Sequence, residues 1–162
     1  LAMRKMLFPG NIPNGKLGET CRANKGGFMP ELHRYRLFIS HAWDYSEDYE
    51  RIVKLLDNAP LFIYSNYSVC RKDPLHCKDS ELKEQLREQI RPVEISLILA
   101  GMYVAHSNWI QFEIDYATLL NKPIVGVKPW GSERVPTAVS SAARDVVGWT
   151  TDSIVSAIRS FA

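Results

Sequence analysis

Residues 93–100 read VEISLILA, a run broken only by Glu94 and Ser96. Eight residues of this character suit a strand covered on both faces, the situation of the middle of a parallel sheet. Parallel neighbours cannot be joined by hairpins, so a crossover helix is required on each side. Downstream, Asn108 with Gln111 three residues on offers a capping pair for a helix running to about residue 121. Residues 123–127 (PIVGV) then read as a fourth strand and residues 146–149 as a weaker fifth. The stretch 151–161 places Ile154, Val155 and Ile158 on one helical face. Upstream, residues 79–91 (DSELKEQLREQIR) read as a helix with Leu82, Leu86 and Ile90 on one side and Glu84–Arg87 and Glu88–Arg91 pairs on a solvated side. Residues 61–64 make a short second strand, and residues 35–40 (YRLFIS) a first. Between these two, Asp44 and Glu47 form a capping pair before a helix whose buried face is Tyr49, Ile52, Val53 and Leu56.

Five strands alternating with helices predict an α/β, flavodoxin-like three-layer domain with a five-stranded parallel sheet in the order 2-1-3-4-5. In that architecture ligands bind beyond the carboxyl ends of the strands, where strands one and three diverge. Attention therefore falls on residues 40–46, 65–78 and 101–113. The loop 66–78 is the longest of the domain, a length often tied to function. The first 28 residues carry seven Gly and Pro and no helical or strand period, so they read as an irregular arm, with the domain spanning 29–162 and Met29 a candidate start.

Composition narrows the function classes. With 46% hydrophobic and 23% charged residues the chain is an ordinary globular one. Twenty basic against eighteen acidic side chains leave a net charge of +2, which argues against a nucleic-acid partner. No apolar run approaches the ~20 residues of a membrane span, so no membrane partner is expected. Cys21, Cys70 and Cys77 are odd in number and follow no signal-like segment, which points to a reducing, cytoplasmic location. Cys70, His76 and Cys77 lack the paired spacings of a zinc site, and no metal or cofactor is expected.

The helix after the central strand holds the most informative residue. Trp109, Phe112, Tyr116 and Leu120 share one apolar sector, and Glu113 falls inside it. Asp115 points about 200° away at ~100° per residue, toward solvent. A carboxylate in an apolar stripe is unfavourable unless it is paired or used. Periodicity alone leaves open a salt bridge or a loop-amide contact at the stripe's margin.

Two further stretches carry a family resemblance. Residues 36–42 (RLFISHA) resemble the opening strand of TIR domains, and residues 107–114 (SNWIQFEI) resemble their S-x-W-x-x-x-E helix. The NKPIVGV strand at 121–127 and the Gly148-Trp149 ending are similar to a bacterial TIR-like branch that includes the Thoeris antiphage signalling proteins. The likeness covers residues 35–161. It implies that Glu113 is the catalytic glutamate of an enzyme cleaving NAD+, as substrate, at the nicotinamide glycosidic bond. The chemistry is intelligible by itself: a pyridinium leaves as neutral nicotinamide without a general acid, and a carboxylate near the ribose stabilises the oxocarbenium charge. Ser40, His41, Trp43, Asn66 and Trp109 are the candidate substrate-binding residues. Asp44 is explained by capping. The loop 66–78 departs from the Arg-Asp-x-x-Pro-Gly pattern of animal TIR domains, although Arg71, Asp73 and Pro74 echo part of it.

The resemblance implies an ADP-ribose-type or cyclic ADP-ribose-type signal passed to a separate effector, with self-association of the domain. Two other classes fit the same architecture: a non-catalytic TIR-like interaction module, and a nucleoside 2-deoxyribosyltransferase-like enzyme. Assays of NAD+ and deoxynucleoside turnover separate them.

Overall fold

A computed structural model of the chain describes residues 32–40, 47–68, 79–128 and 134–162, without the side chains of residues 102 and 104–107. All lie within one compact unit, Glu31–Ala162. The arm, His41, Trp43, Asp44, the cysteines and residues 69–78 lie outside the described residues.

The sheet is built from β1 (Arg34–Ser40), β2 (Ile63–Asn66), β3 (Ile95–Leu99), β4 (Ile124–Val127) and β5 (Asp145–Val147). Their order is β2-β1-β3-β4-β5, with every pairing parallel, as the alternation of strands and helices predicts. β3 is buried at all five positions and lies between β1 and β4, which is why its sequence shows no polar alternation.

Among the described residues the helices are α1 (Glu47–Asp57), α2 (Asp79–Ile90), α3 (Tyr103–Leu119), α4 (Thr137–Ala142) and α5 (Thr151–Phe161). α1 and α2 open with acidic turns and close with a basic residue, which complements the helix dipole. Leu82, Leu86 and Ile90 bury one face of α2, and Arg87 Nη1 donates to Glu84 Oε2 at 3.0 Å on the other. α5 is capped by Thr150, whose hydroxyl accepts from the Ser153 N–H.

Contacts sort the helices into two layers, α1 with α5 and α2 with α3 and α4. Two bonds of long sequence separation tie α5 to the first half of the domain. Thr151 Oγ1 donates to the Leu55 carbonyl at 3.3 Å, and Arg159 Nη2 to the Leu61 carbonyl at 3.0 Å.

Register identifies the residues that share a sheet face. Ser40 stands beside Ile98, and Ile98 beside Gly126. A Cβ on Gly126 would meet Val139 of α4 at 3.1 Å, so this row of side chains points into the layer of α2, α3 and α4. Phe38 and Ser96 lie on the same face one pleat below.

The structure corrects several boundaries. β2 begins at Ile63, not at residue 61, because Leu61 has φ 53° and forms the turn before it with 75% of its surface exposed. α3 begins at Tyr103, and Asn108 lies exposed inside it, not at its N-cap. The chain leaves β3 through a short 3-10 turn, Ala100–Met102, that runs directly into the helix. β5 ends at Val147; beyond it the Trp149 indole N–H donates to the Lys128 carbonyl at 2.6 Å. The six-residue α4 was not among the predicted elements.

Candidate active site

Ser40 is the last residue of β1 and Asn66 the last of β2, so both stand at the carboxyl edge that the parallel topology marks for ligands. Glu113 reaches the same region from the third turn of α3. The buried stripe of that helix is Ile110, Glu113, Ile114 and Ala117. The predicted sector was therefore displaced, since Trp109, Phe112, Tyr116 and Leu120 are only partly buried and cover its margin. Glu113 lies at the centre of the stripe, 3% exposed.

The carboxyl has no cation beside it among the described residues. Removal from water pushes its pKa up, from 4.5 to about 8, and the neighbouring Ser40 hydroxyl acts in the opposite direction. That hydroxyl is near enough to favour the carboxylate, yet the pair falls short of full hydrogen-bond geometry. Ser40 Oγ and Glu113 Oε2 are both buried without a partner among the described residues. Buried polar atoms are nearly always paired, so two orphans side by side set this pair apart from the rest of the described core. The salt bridge considered for Glu113 does not occur among the described residues.

Asn66 is engaged locally. Its Nδ2 donates to the Tyr49 hydroxyl at 2.7 Å, and its Oδ1 accepts from the Ser68 N–H at 2.9 Å. This is an Asx turn, the short-range bond that lets asparagine end a strand. The turn places Ser68, itself fully buried, so that its Oγ accepts from the Ile39 N–H of β1. The Tyr67 N–H donates to the Leu37 carbonyl just before it, so Ser68 extends the β1–β2 ladder by a side chain where the backbone of β2 has turned away. Sequence reasoning missed Ser68 and Tyr49; the Asn-x-Ser spacing was the available signal.

Trp109 is half-buried and lines a groove of about 470 Å³ between α2 and α3, together with Asp79, Lys83, Asn108, Phe112 and Asp115. Ser40, Asn66 and Glu113 are not among the residues lining it. The Phe112 ring carries the cations of Lys83 and Arg87 at 5.8 and 5.5 Å, a stack favoured by the ring quadrupole. Asp115 is exposed and accepts from Gln111 Nε2 at 2.8 Å.

Of the predicted site residues, then, the structure brings Ser40 and Glu113 into one buried pair, sets Asn66 at the same sheet edge, and places Trp109 on the outer flank of α3. His41 and Trp43 lie outside the described residues. No group of three His, Cys, Asp or Glu could hold a metal among the described residues, and no described helix is long and apolar enough to cross a membrane.

Comparison with solved structures gives a conserved protein from Enterococcus faecalis V583, at 9% identity and a TM-score of 0.58. The match covers 79% of this chain and 99% of that one. At that identity the likeness bears on fold alone. The Clostridium botulinum CMP N-glycosidase BcmB also aligns, at 12% identity and a TM-score of 0.47, over 78% of this chain and 99% of that one. No curated protein matches the sequence significantly. The model of the family described as "Thoeris protein ThsB, TIR-like domain" matches residues 38–134, a span running from β1 past β4 that includes the Ser40–Glu113 pair. The chain therefore belongs to the Thoeris ThsB TIR-like domain family.

Proposed function

We propose that this protein cleaves NAD+ at the nicotinamide glycosidic bond and thereby makes a nucleotide signal of the ADP-ribose or cyclic ADP-ribose type in antiphage defence. The observation that carries this reading is the Glu113 carboxyl, buried in an apolar stripe beside Ser40 at the carboxyl edge of the sheet, with no cation beside it among the described residues.

Such a carboxyl is matched to a cationic ligand. By itself, burial favours the protonated acid. A pyridinium riboside brings positive charge, and an opposite charge nearby favours the carboxylate, so binding releases a proton. When the C1′–N bond breaks, its electron pair leaves with nicotinamide as a neutral molecule. The positive charge moves to the ribose ring, where the low-polarity surroundings strengthen its attraction to the carboxylate. Water then adds to C1′ with loss of a proton to give ADP-ribose, or a nucleophile of the same nucleotide adds to give the cyclic form. A separate effector would receive the product.

The test is release of nicotinamide from NAD+ by the purified protein, alone and clustered on a scaffold, with deoxynucleosides as a parallel substrate. Nicotinamide release that Glu113→Gln abolishes supports the reading. Turnover of deoxynucleosides alone would replace it with a deoxyribosyltransferase. No turnover in either format would favour an interaction module.

A further inference from the structure

The sequence places Ser40 among the substrate contacts, but its geometry fits a different task. Ser40 has no exposed surface, so nothing entering the site meets its hydroxyl without first displacing other atoms. The strand alternation turns that hydroxyl toward the α3 layer, where it is the described side chain that acts on Glu113. Neither Ser40 Oγ nor Glu113 Oε2 has another partner among the described residues to give up when a bond forms between them.

Among the described residues the surroundings contain no competitor. β3 (ISLIL) and β4 (IVGV) hold no ionisable residue, and neither does α4 (TAVSSA). On β1, Arg36 is engaged with Glu94 at the other end of the strand. From α2, Lys83 and Arg87 lie over the outer rings of Phe112 and Tyr116, and Arg91 interacts with Tyr116. On α3 itself, Asp115 faces solvent, and Tyr103 donates to Gln111 at 2.9 Å.

We infer that Ser40 is a positioning residue: its hydroxyl donates to the Glu113 carboxylate, holds it toward the carboxyl edge of the sheet and stabilises its ionised form, without itself touching substrate. The activity consequence rests on the NAD+-cleaving reading; the effect on Glu113 does not.

The experiment is a carboxyl titration. In the whole protein labelled with ¹³C at glutamate carboxyls, the Glu113 resonance is identified by its absence from Glu113→Gln and followed from pH 5 to 10 in the parent, Ser40→Ala and Ser40→Thr. Ser40→Ala should raise the midpoint by about one to two pH units, the size of a hydrogen bond to an ionised group. Ser40→Thr, which keeps the hydroxyl, should return the midpoint most of the way. Should alanine misfold, Ser40→Cys, with its weak donor, should move the midpoint in the same direction. The pH profile of nicotinamide release should move with the resonance while KM at high pH stays at the parent value. A Ser40→Ala midpoint unmoved or lowered overturns the inference, as does a KM raised equally at every pH. If the parent releases no nicotinamide, the NAD+ reading fails while the titration still decides the role of Ser40.

Discussion

Replacing Glu113 by Gln should make the protein more stable near neutral pH and far less active. In the folded chain burial lifts the Glu113 pKa from 4.5 to about 8. The folded state therefore binds this proton more tightly than the unfolded one, and between those values folding takes a proton up. The stabilising contribution is complete below pH 4.5 and is lost as pH rises through 8. Each pH unit in this window is worth ~1.4 kcal/mol, so about 3 kcal/mol has gone by pH 7 and about 4 to 5 by pH 8. Glutamine does not titrate, and its amide fills a similar volume. The stability of Glu113→Gln relative to the parent should thus rise by about 4 kcal/mol from pH 5 to pH 8, a change of roughly 10 °C in the Tm difference. Subtracting the two proteins at each pH cancels the other titrating groups. Thermal or urea unfolding followed by circular dichroism at four pH values suffices. A gap constant to within about 0.5 kcal/mol refutes the reasoning. A gap of opposite slope, with the parent gaining as pH rises, reveals a hidden cation and a structural ion pair. In the NAD+ assay the same variant should lose ~10² to 10³ in rate, the loss typical of one electrostatic contact in the transition state.

Asp115→Asn, on the exposed side of the same helix, should shift stability by less than about 0.5 kcal/mol and leave nicotinamide release at the parent rate; a large loss of turnover would move the site toward the groove beside Trp109. Ser68→Ala should destabilise the domain by ~1 to 3 kcal/mol, because it removes the buried acceptor of the Ile39 N–H, and urea unfolding that shows no change would discount that bond. Thr150→Ala, which removes the α5 cap, should cost about 1 kcal/mol by the same measurement.

The parts of the fold legible in the sequence were those decided by burial on a regular period. Residues 93–100 are apolar but for Glu94 and Ser96 because β3 is covered on both faces, and Leu82, Leu86 and Ile90 recur at four-residue steps because α2 buries one face. Local pattern failed where a neighbour in space decided the outcome. Asn108 and Gln111 satisfy a capping rule, yet the preceding 3-10 turn starts α3 five residues earlier. The left-handed backbone of Leu61 is invisible to propensity. The burial of Glu113 was readable from helical spacing, but its stripe was misjudged because the large aromatics of α3 sit at the margin, where they cover more edge than Ile110 and Ala117 can. The pairing with Ser40 follows from topology once strand order is known. Ser68 required a contact between a side chain and the backbone of a strand 29 residues away.

The bonds from α5 back to Leu55 and Leu61 bear on how the chain comes off the ribosome. β1, β2 and β3 are complete early in synthesis, but the layer over α1 is shared with α5, the last helix described. Until α5 emerges, α1 lacks its partner in that layer, and β4 and β5 lack the helix that packs against them. The nascent domain therefore waits with an open apolar side through the translation of two further strands, a state that attracts chaperones and that early termination would make permanent. Completion comes late and all at once, when Thr151 and Arg159 reach carbonyls made some hundred residues before them.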